Sequence, residues 1–361
     1  MKLETWNLKL LLLWWPVMLL PAILAPEGAP HHLRLIGTAP GTYIFVALGV
    51  AQIGRWLAAR WGARAGWLLA LAIFGLTAAQ TYNDYFIRWA NEVDHYLDFD
   101  VYAEELAAQI AADRDPAVAY AIPMDLRAAH EARHYSLDFL YRGETRWRYV
   151  VVDEATAAQS LTEAAQGATT LKVVRWTQDK HREADARELV TFLLATAGAV
   201  QTAVEPHPVY TIETYRLPSP QTRFALPAIQ SPVGATLAER LQVRRAAVLP
   251  ERTPAGEVAV AVTYAPIAPM AVDYKASLRL VAPDGAVVAQ KDRALLHNWH
   301  QGTSLWPREE VNEYYLLPLP PGAPPGEYTV QLVVYHPDTL APLGEQLPIG
   351  KYQLSKNGPD S

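Results

Sequence analysis

The sequence has no cysteine in 361 residues. Disulfides, thiol nucleophiles and cysteine-ligated metals are excluded, so any exported domain must rest on its apolar cores. Charge is sparse as well. Charged residues make up 19% and hydrophobic ones 51%, where soluble proteins carry roughly 25% charged residues. The net charge of −6 and the lack of a basic stripe interleaved with aromatics give no reason to expect a nucleic-acid partner. No Gly-x-Gly-x-x-Gly opens a helix, so a dinucleotide site is not indicated. Nothing in the sequence implies a cofactor.

The apolar excess lies before residue 80. The run 6–25, WNLKLLLLWWPVMLLPAILA, is long enough to cross a hydrocarbon core of about 30 Å. A cleaved signal peptide is the rival reading; the length of the run, Pro16, Pro21 and the missing small-x-small site argue against it. Two further spans are expected at about 41–59 and 65–82, joined by the tight connection Arg60-Trp61-Gly62-Ala63-Arg64. Arg55, Arg60 and Arg64 crowd that connection and place it in the cytoplasm by the positive-inside rule. The N-terminus is then cytoplasmic, and the chain after the third span lies outside. Arg34, in the first connection, points the other way but is alone.

The rest reads as two soluble units, 83–217 and 233–361. In the first, runs suited to strands at 117–122, 148–153, 171–176 and 209–217 alternate with helical patterns after Asp100, at 154–167 and at 182–198. That alternation predicts an α/β domain with a small, mostly parallel sheet of Rossmann-like topology. A proline-rich stretch, 218–232, reads as a linker. Beyond it, strand patterns at 257–265, 273–282, 286–293, 313–319 and 326–337 follow one another without helices. They predict an all-β antiparallel sandwich of Ig-like type.

The runs AVTYAP, DYKASLRLVAPDGAVVAQKDR and TSLWPREEVNEYYLLPLPPGAPPGEYTVQLVVYHPDT resemble the sandwich appended to bacterial polyprenyl-phosphate-dependent membrane glycosyltransferases. These enzymes have the C-type glycosyltransferase fold and are related to protein O-mannosyltransferases and lipid-linked sugar transferases. GAPHHLRLIGTAPGTYIFVALG resembles their late external loop and following helix. TYNDYFIRWANEVDHYLDFDVYAEELA resembles the passage from their last helix into the soluble domain. The resemblance implies transfer of a sugar from a polyprenyl-phosphate donor at the outer membrane face. It also implies a catalytic acidic residue in an early external loop, which this sequence does not contain. The chain thus reads as the C-terminal portion of such an enzyme, partnered by membrane lipid, by the donor and by the missing N-terminal half. The alternative is a self-contained membrane-anchored module that binds glycan or protein.

Of the candidate sites, Arg34 with His31 and His32 carries the sharpest reading. The resemblance places their loop at the membrane-surface cavity, where the planar Arg fork suits a lipid phosphate; headgroup contact is the plainer role. Asp98 and Asp100 have the spacing of a metal–sugar-phosphate pair but stand where helix caps stand. Asp84 and Arg88 read as an interfacial ion pair. His297, Asn298, Trp299 and His300 form a loop with a weak metal pattern, and Trp306 reads as core or sugar platform. His181, beside Asp179 and Glu183, reads as solvated charge.

Overall fold

The computed structural model describes residues 12–14, 16–20, 38–91, 101–124, 135–177, 185–297 and 301–355. Two compact units make up the chain, Met1–His95 and Tyr96–Ser361.

The first unit is built on a helical hairpin, α1 (Ala39–Trp61) and α2 (Ala63–Tyr82). Pro40 stands in the first turn of α1, where its missing N–H costs nothing. Gly62 ends α1 with φ of 89°, a left-handed conformation that glycine adopts without a Cβ clash. α2 runs on through a π-helical turn, Asn83–Arg88, and a 3-10 turn, Trp89–Asn91. Two segments, Ala39–Trp61 and Ala63–Arg88, are long and apolar enough to cross a membrane. Their large side chains face outward, Trp67 at 73% and Phe74 at 75% exposure. The expected first span, 6–25, lies largely outside the described residues; 12–14 and 16–20 are helical.

The second unit begins with α3 (Val101–Ala112), β1 (Val118–Met124), α4 (Tyr135–Leu140), β2 (Arg146–Val151), α5 (Ala157–Ala165), β3 (Thr170–Trp176), α6 (Leu189–Thr196), β4 (Val200–Pro206) and β5 (Tyr210–Arg216). The sheet order is β2-β1-β3-β5-β4. β1 pairs with β2 and β3 in parallel, whereas β5 pairs antiparallel with β3 and β4. The sheet is therefore mixed, not mostly parallel. Sequence periodicity missed β4, and its short connection to β5 makes a hairpin, which reverses the chain.

The strands β6 (Ser231–Leu237), β7 (Leu241–Arg252), β8 (Glu257–Pro266), β9 (Lys275–Val281), β10 (Val287–Ala294), β11 (Leu296–His297), β12 (Gln301–Gly302), β13 (Val311–Pro318), β14 (Gly326–Tyr335) and β15 (Leu347–Leu354) follow. They form two four-stranded antiparallel sheets, β13-β8-β7-β6 and β10-β9-β14-β15, and the small β11-β12 ribbon. The two large sheets close on one core that includes Val260, Tyr264, Leu278, Tyr315, Tyr328 and Leu332.

The run Val258-Ala259-Val260-Ala261-Val262 of β8 explains how the layers stack. Successive strand residues point to opposite faces. The valines enter the sandwich core, and Ala259 and Ala261 enter a second core shared with α5, α6 and the mixed sheet. The small side chains let α6 lie close, and Phe192 meets the Tyr314 ring at 5.1 Å. The same core takes in Leu217 and Phe224, with Leu226 and Ile229 packed against it. The proline-rich segment thus lies against apolar surface, and the α/β and β parts share one interior. The opposite face of the mixed sheet is covered by α3 and α4 through Leu106, Ile110 and Leu137.

Candidate functional site

Among the described residues, a dense charged constellation lies where the α/β part meets the sandwich. Glu313, on β13, is fully buried. Its Oε1 accepts from Arg187 Nε at 3.2 Å, and its Oε2 accepts from Arg293 Nη2. Arg187 stands just before α6 and Arg293 lies on β10 of the other sheet, so one carboxylate ties three layers. Arg187 Nη2 also donates to Glu154 Oε1 at 2.7 Å and to the Asn312 carbonyl. Asn312 Nδ2 donates to Glu154 Oε2 at 2.9 Å, and Asn312 Oδ1 accepts from the Thr263 hydroxyl at 2.7 Å. The Arg293 guanidinium lies over the Tyr315 ring at 4.4 Å and donates to the Arg187 and Tyr314 carbonyls.

Burial holds the Glu313 carboxyl above the usual carboxylate range, with Arg293 and Arg187 opposing. Burial works against charge in both arginines, but Glu313 together with Glu154 at Arg187, and with Tyr315 and Glu188 at Arg293, outweighs it, and both pKa values lie above the ordinary one. The protons therefore stay on the guanidiniums, and each oxygen of Glu313 accepts from one of them. A fully buried carboxylate held on both oxygens presents nothing to a substrate, so this constellation acts as a clamp.

A second buried group sits beneath α6. Arg175 bonds Asp185 at 2.5 Å, Glu213 at 3.1 Å and the Thr191 hydroxyl at 2.7 Å. Asp185 Oδ1 accepts the Leu189 N–H at 2.7 Å. Asp185 thus satisfies an N–H that the first turn of a helix leaves open. This is why α6 begins at Leu189 and not at 182.

A third group joins Lys172, Asp113 and Tyr120. Lys172 Nζ bonds Asp113 at 2.8 Å and the Tyr120 hydroxyl at 3.3 Å. Burial pushes the Tyr120 phenol up to about 12, with Lys172 opposing. Beside it opens a polar cleft of about 620 Å³ lined by Arg114, Asp115, Arg142, Glu144 and Arg146. The cleft lies at the starts of β1 and β2. Open α/β sheets bind ligands beyond the carboxyl ends of their strands, so its position favours a structural role. The segments that follow β1 and β3, 125–134 and 178–184, are outside the described residues.

Among the residues singled out from sequence, His31, His32, Arg34, Asp98, Asp100, Asp179, His181, Glu183 and Asn298–His300 lie outside the described residues. Asp84 and Arg88 form an ion pair of 3.5 Å one helical turn apart. Trp306 is core: its ring lies 6.1 Å from Tyr264 and its Nε1 donates to the Gln301 carbonyl at 3.0 Å. His297 is buried with Nε2 at 3.4 Å from Glu309. No group of three metal-ligating side chains occurs among the described residues. The Arg187–Glu313–Arg293 clamp was missed because its members stand far apart in sequence. The one available signal was a charged residue, Glu313, inside the apolar strand pattern of β13.

No family model matches the chain, and no curated protein matches it. Among solved structures it is similar to an endonuclease/exonuclease/phosphatase from Beutenbergia cavernae DSM 12333, at 10% identity over 54% of this chain and 58% of that one, with a TM-score of 0.18. Likeness at that level carries no argument about fold or chemistry.

Proposed function

We propose that the chain is the membrane-anchoring and extracytoplasmic portion of a polyprenyl-phosphate-dependent glycosyltransferase. The observation that carries the anchoring part is the outward-facing apolar surface of Ala39–Arg88, which water would not tolerate at this extent. The transfer chemistry rests on the sequence resemblance. In this reading the run 6–25 supplies a third membrane helix and the turn at Arg60–Arg64 faces the cytoplasm. The unit from Tyr96 onward lies outside, its parallel strands β2-β1-β3 a Rossmann-like core and its two antiparallel sheets an Ig-like sandwich. Arg34, aided by His31 and His32, holds the donor phosphate. A charge-assisted bond of this kind contributes about 1.5–3 kcal/mol, or about 10- to 100-fold in affinity.

The test is binding of a polyprenyl phosphate by the full chain in nanodiscs. Arg34→Ala is expected to weaken binding by that factor and Arg34→Lys by less, since lysine keeps the charge but loses the fork. Equal binding by the parent and Arg34→Ala would sink the donor role. A second reading is a self-contained module that recognises glycan or protein. It is favoured by the shared core and clamp, which make the α/β and β parts one unit able to present a fixed surface. Saturable glycan or protein binding by the chain alone, without affinity for the donor lipid, would decide for it.

A further inference from the structure

The groove between α1 and α2 has a volume of about 800 Å³, within the range of about 300–1,000 Å³ that ligand sites occupy. One wall carries Tyr43, Val46 and Val50, and the other Trp67, Ile73 and Phe74. From Tyr43 to Ala58 it runs about 22 Å along α1, at 1.5 Å per residue. Glycines form part of its lining: a Cβ on Gly66 would stand 3.1 Å from the Gly54 carbonyl oxygen, whereas one on Gly54 would meet nothing within 4 Å. The charged residue among those lining it is Arg55, which donates to Gln52 Oε1 at 2.7 Å. Arg60 and Arg64 follow at the turn, and no aspartate or glutamate occurs between Glu27 and Asp84.

An open apolar groove with a cation near its turn-side end has the charge and shape of an amphiphile's complement. We propose that this groove seats one acyl chain of an anionic bilayer phospholipid, with the headgroup phosphate held by Arg55 and attracted by Arg60 and Arg64. The inference rests on the anchor reading. An arginine stem reaches from apolar surroundings to the headgroup level while its guanidinium stays polar-solvated. A zwitterionic headgroup would bring its own cation toward three arginines that have no acidic neighbours in sequence. That charge argument selects the anionic lipid.

The test uses the full chain with phosphatidylglycerol and phosphatidylcholine vesicles. Flotation reports anchoring, and the lipids retained after detergent extraction, counted by native mass spectrometry, report the site. The chain is expected to float with both vesicles and to retain phosphatidylglycerol selectively. Arg55→Gln should lower that retention about fivefold, the effect of one arginine at an anionic surface. Gly54→Leu, which fills the groove and keeps every charge, should lower it too. Failure to float would overturn the anchor reading itself. Floating without selectivity, or retention unchanged in Gly54→Leu, would overturn the lipid site alone. A photo-crosslinker at Val50 that captures residues 6–25 and no lipid would overturn it as well, and so would displacement of phosphatidylglycerol by equimolar polyprenyl phosphate.

Discussion

Replacing Glu313 by glutamine tests whether the clamp holds the soluble unit together. The side chain keeps its shape, but two buried guanidiniums then face an amide. Arg187 and Arg293 side chains are 4% and 8% exposed, so water cannot take the place of the lost charge. Removing one partner of a buried ion pair costs about 3–5 kcal/mol, whereas an exposed pair contributes about 0–1 kcal/mol. Glu310 provides the control. It pairs with Arg244 at 2.9 Å and with Arg245, in a site open to solvent. Thermal unfolding of the chain in detergent should show Glu313→Gln lowered by about 6–20 °C, at about 2–4 °C per kcal/mol for a unit of this size. Glu310→Gln should move by no more than a few degrees. A triple replacement, Arg187→Met with Arg293→Met and Glu313→Leu, removes the clamp's three buried charges together and should recover most of the loss. If Glu313→Gln melts no lower than Glu310→Gln, the clamp reasoning fails.

His297 should make the protein less stable in acid. Burial and Arg187 hold its pKa below the ordinary 6.5, so the unfolded chain takes up the proton first. Stability is then full above about pH 6.5 and falls as pH drops below it; His297→Gln should narrow the gap in melting temperature between pH 7.5 and 5.5, and an unchanged gap would refute the assignment. Limited proteolysis should spare 217–232, because Leu217 and Phe224 are buried; a first cut mapped to that stretch would show that it swings free. A reporter active only in the cytoplasm, fused after Ser361, should be silent, and strong activity would reverse the orientation drawn from Arg55, Arg60 and Arg64.

The elements legible in the sequence are those whose pattern is local. VYAEELAAQIAA places α3 at Val101–Ala112, and the alternation in EVAVAVTYA places β8 to within a residue. α3 buries one face, whereas β8 is buried on both, its valines and alanines alternating between two cores; burial of either kind writes a pattern into the chain. β4 and β6 left little trace for the opposite reason. Both lie at sheet edges and bury almost nothing, with β4 largely exposed and β6 carrying Pro232 and Gly234. An edge strand is held by its backbone ladder, which any residue but proline can supply. The proline-rich stretch misled for a related reason. Prolines stop helices and ladders whether the chain is free or packed, so they report local conformation and not burial. Only the apolar Leu217, Phe224, Leu226 and Ile229 between them reveal the packing.

The clamp marks the limit of such reading. Arg187 and Glu313 stand 126 residues apart, and no local pattern links them. Yet Glu313 breaks the apolar run of β13, and an acid at a strand position otherwise given to the core must find a cation there. In this chain it finds two, one from each flanking layer. That arrangement makes the seam between the α/β and β parts depend on charge complementarity as well as on apolar contact. A relative shift of the two parts would separate Arg187 from Glu313, leaving the carboxylate to Arg293 alone and Arg187 to Glu154. The buried cross-seam pair thus adds to the resistance that the apolar contacts already give against sliding, which is the property expected of a unit that presents one fixed surface.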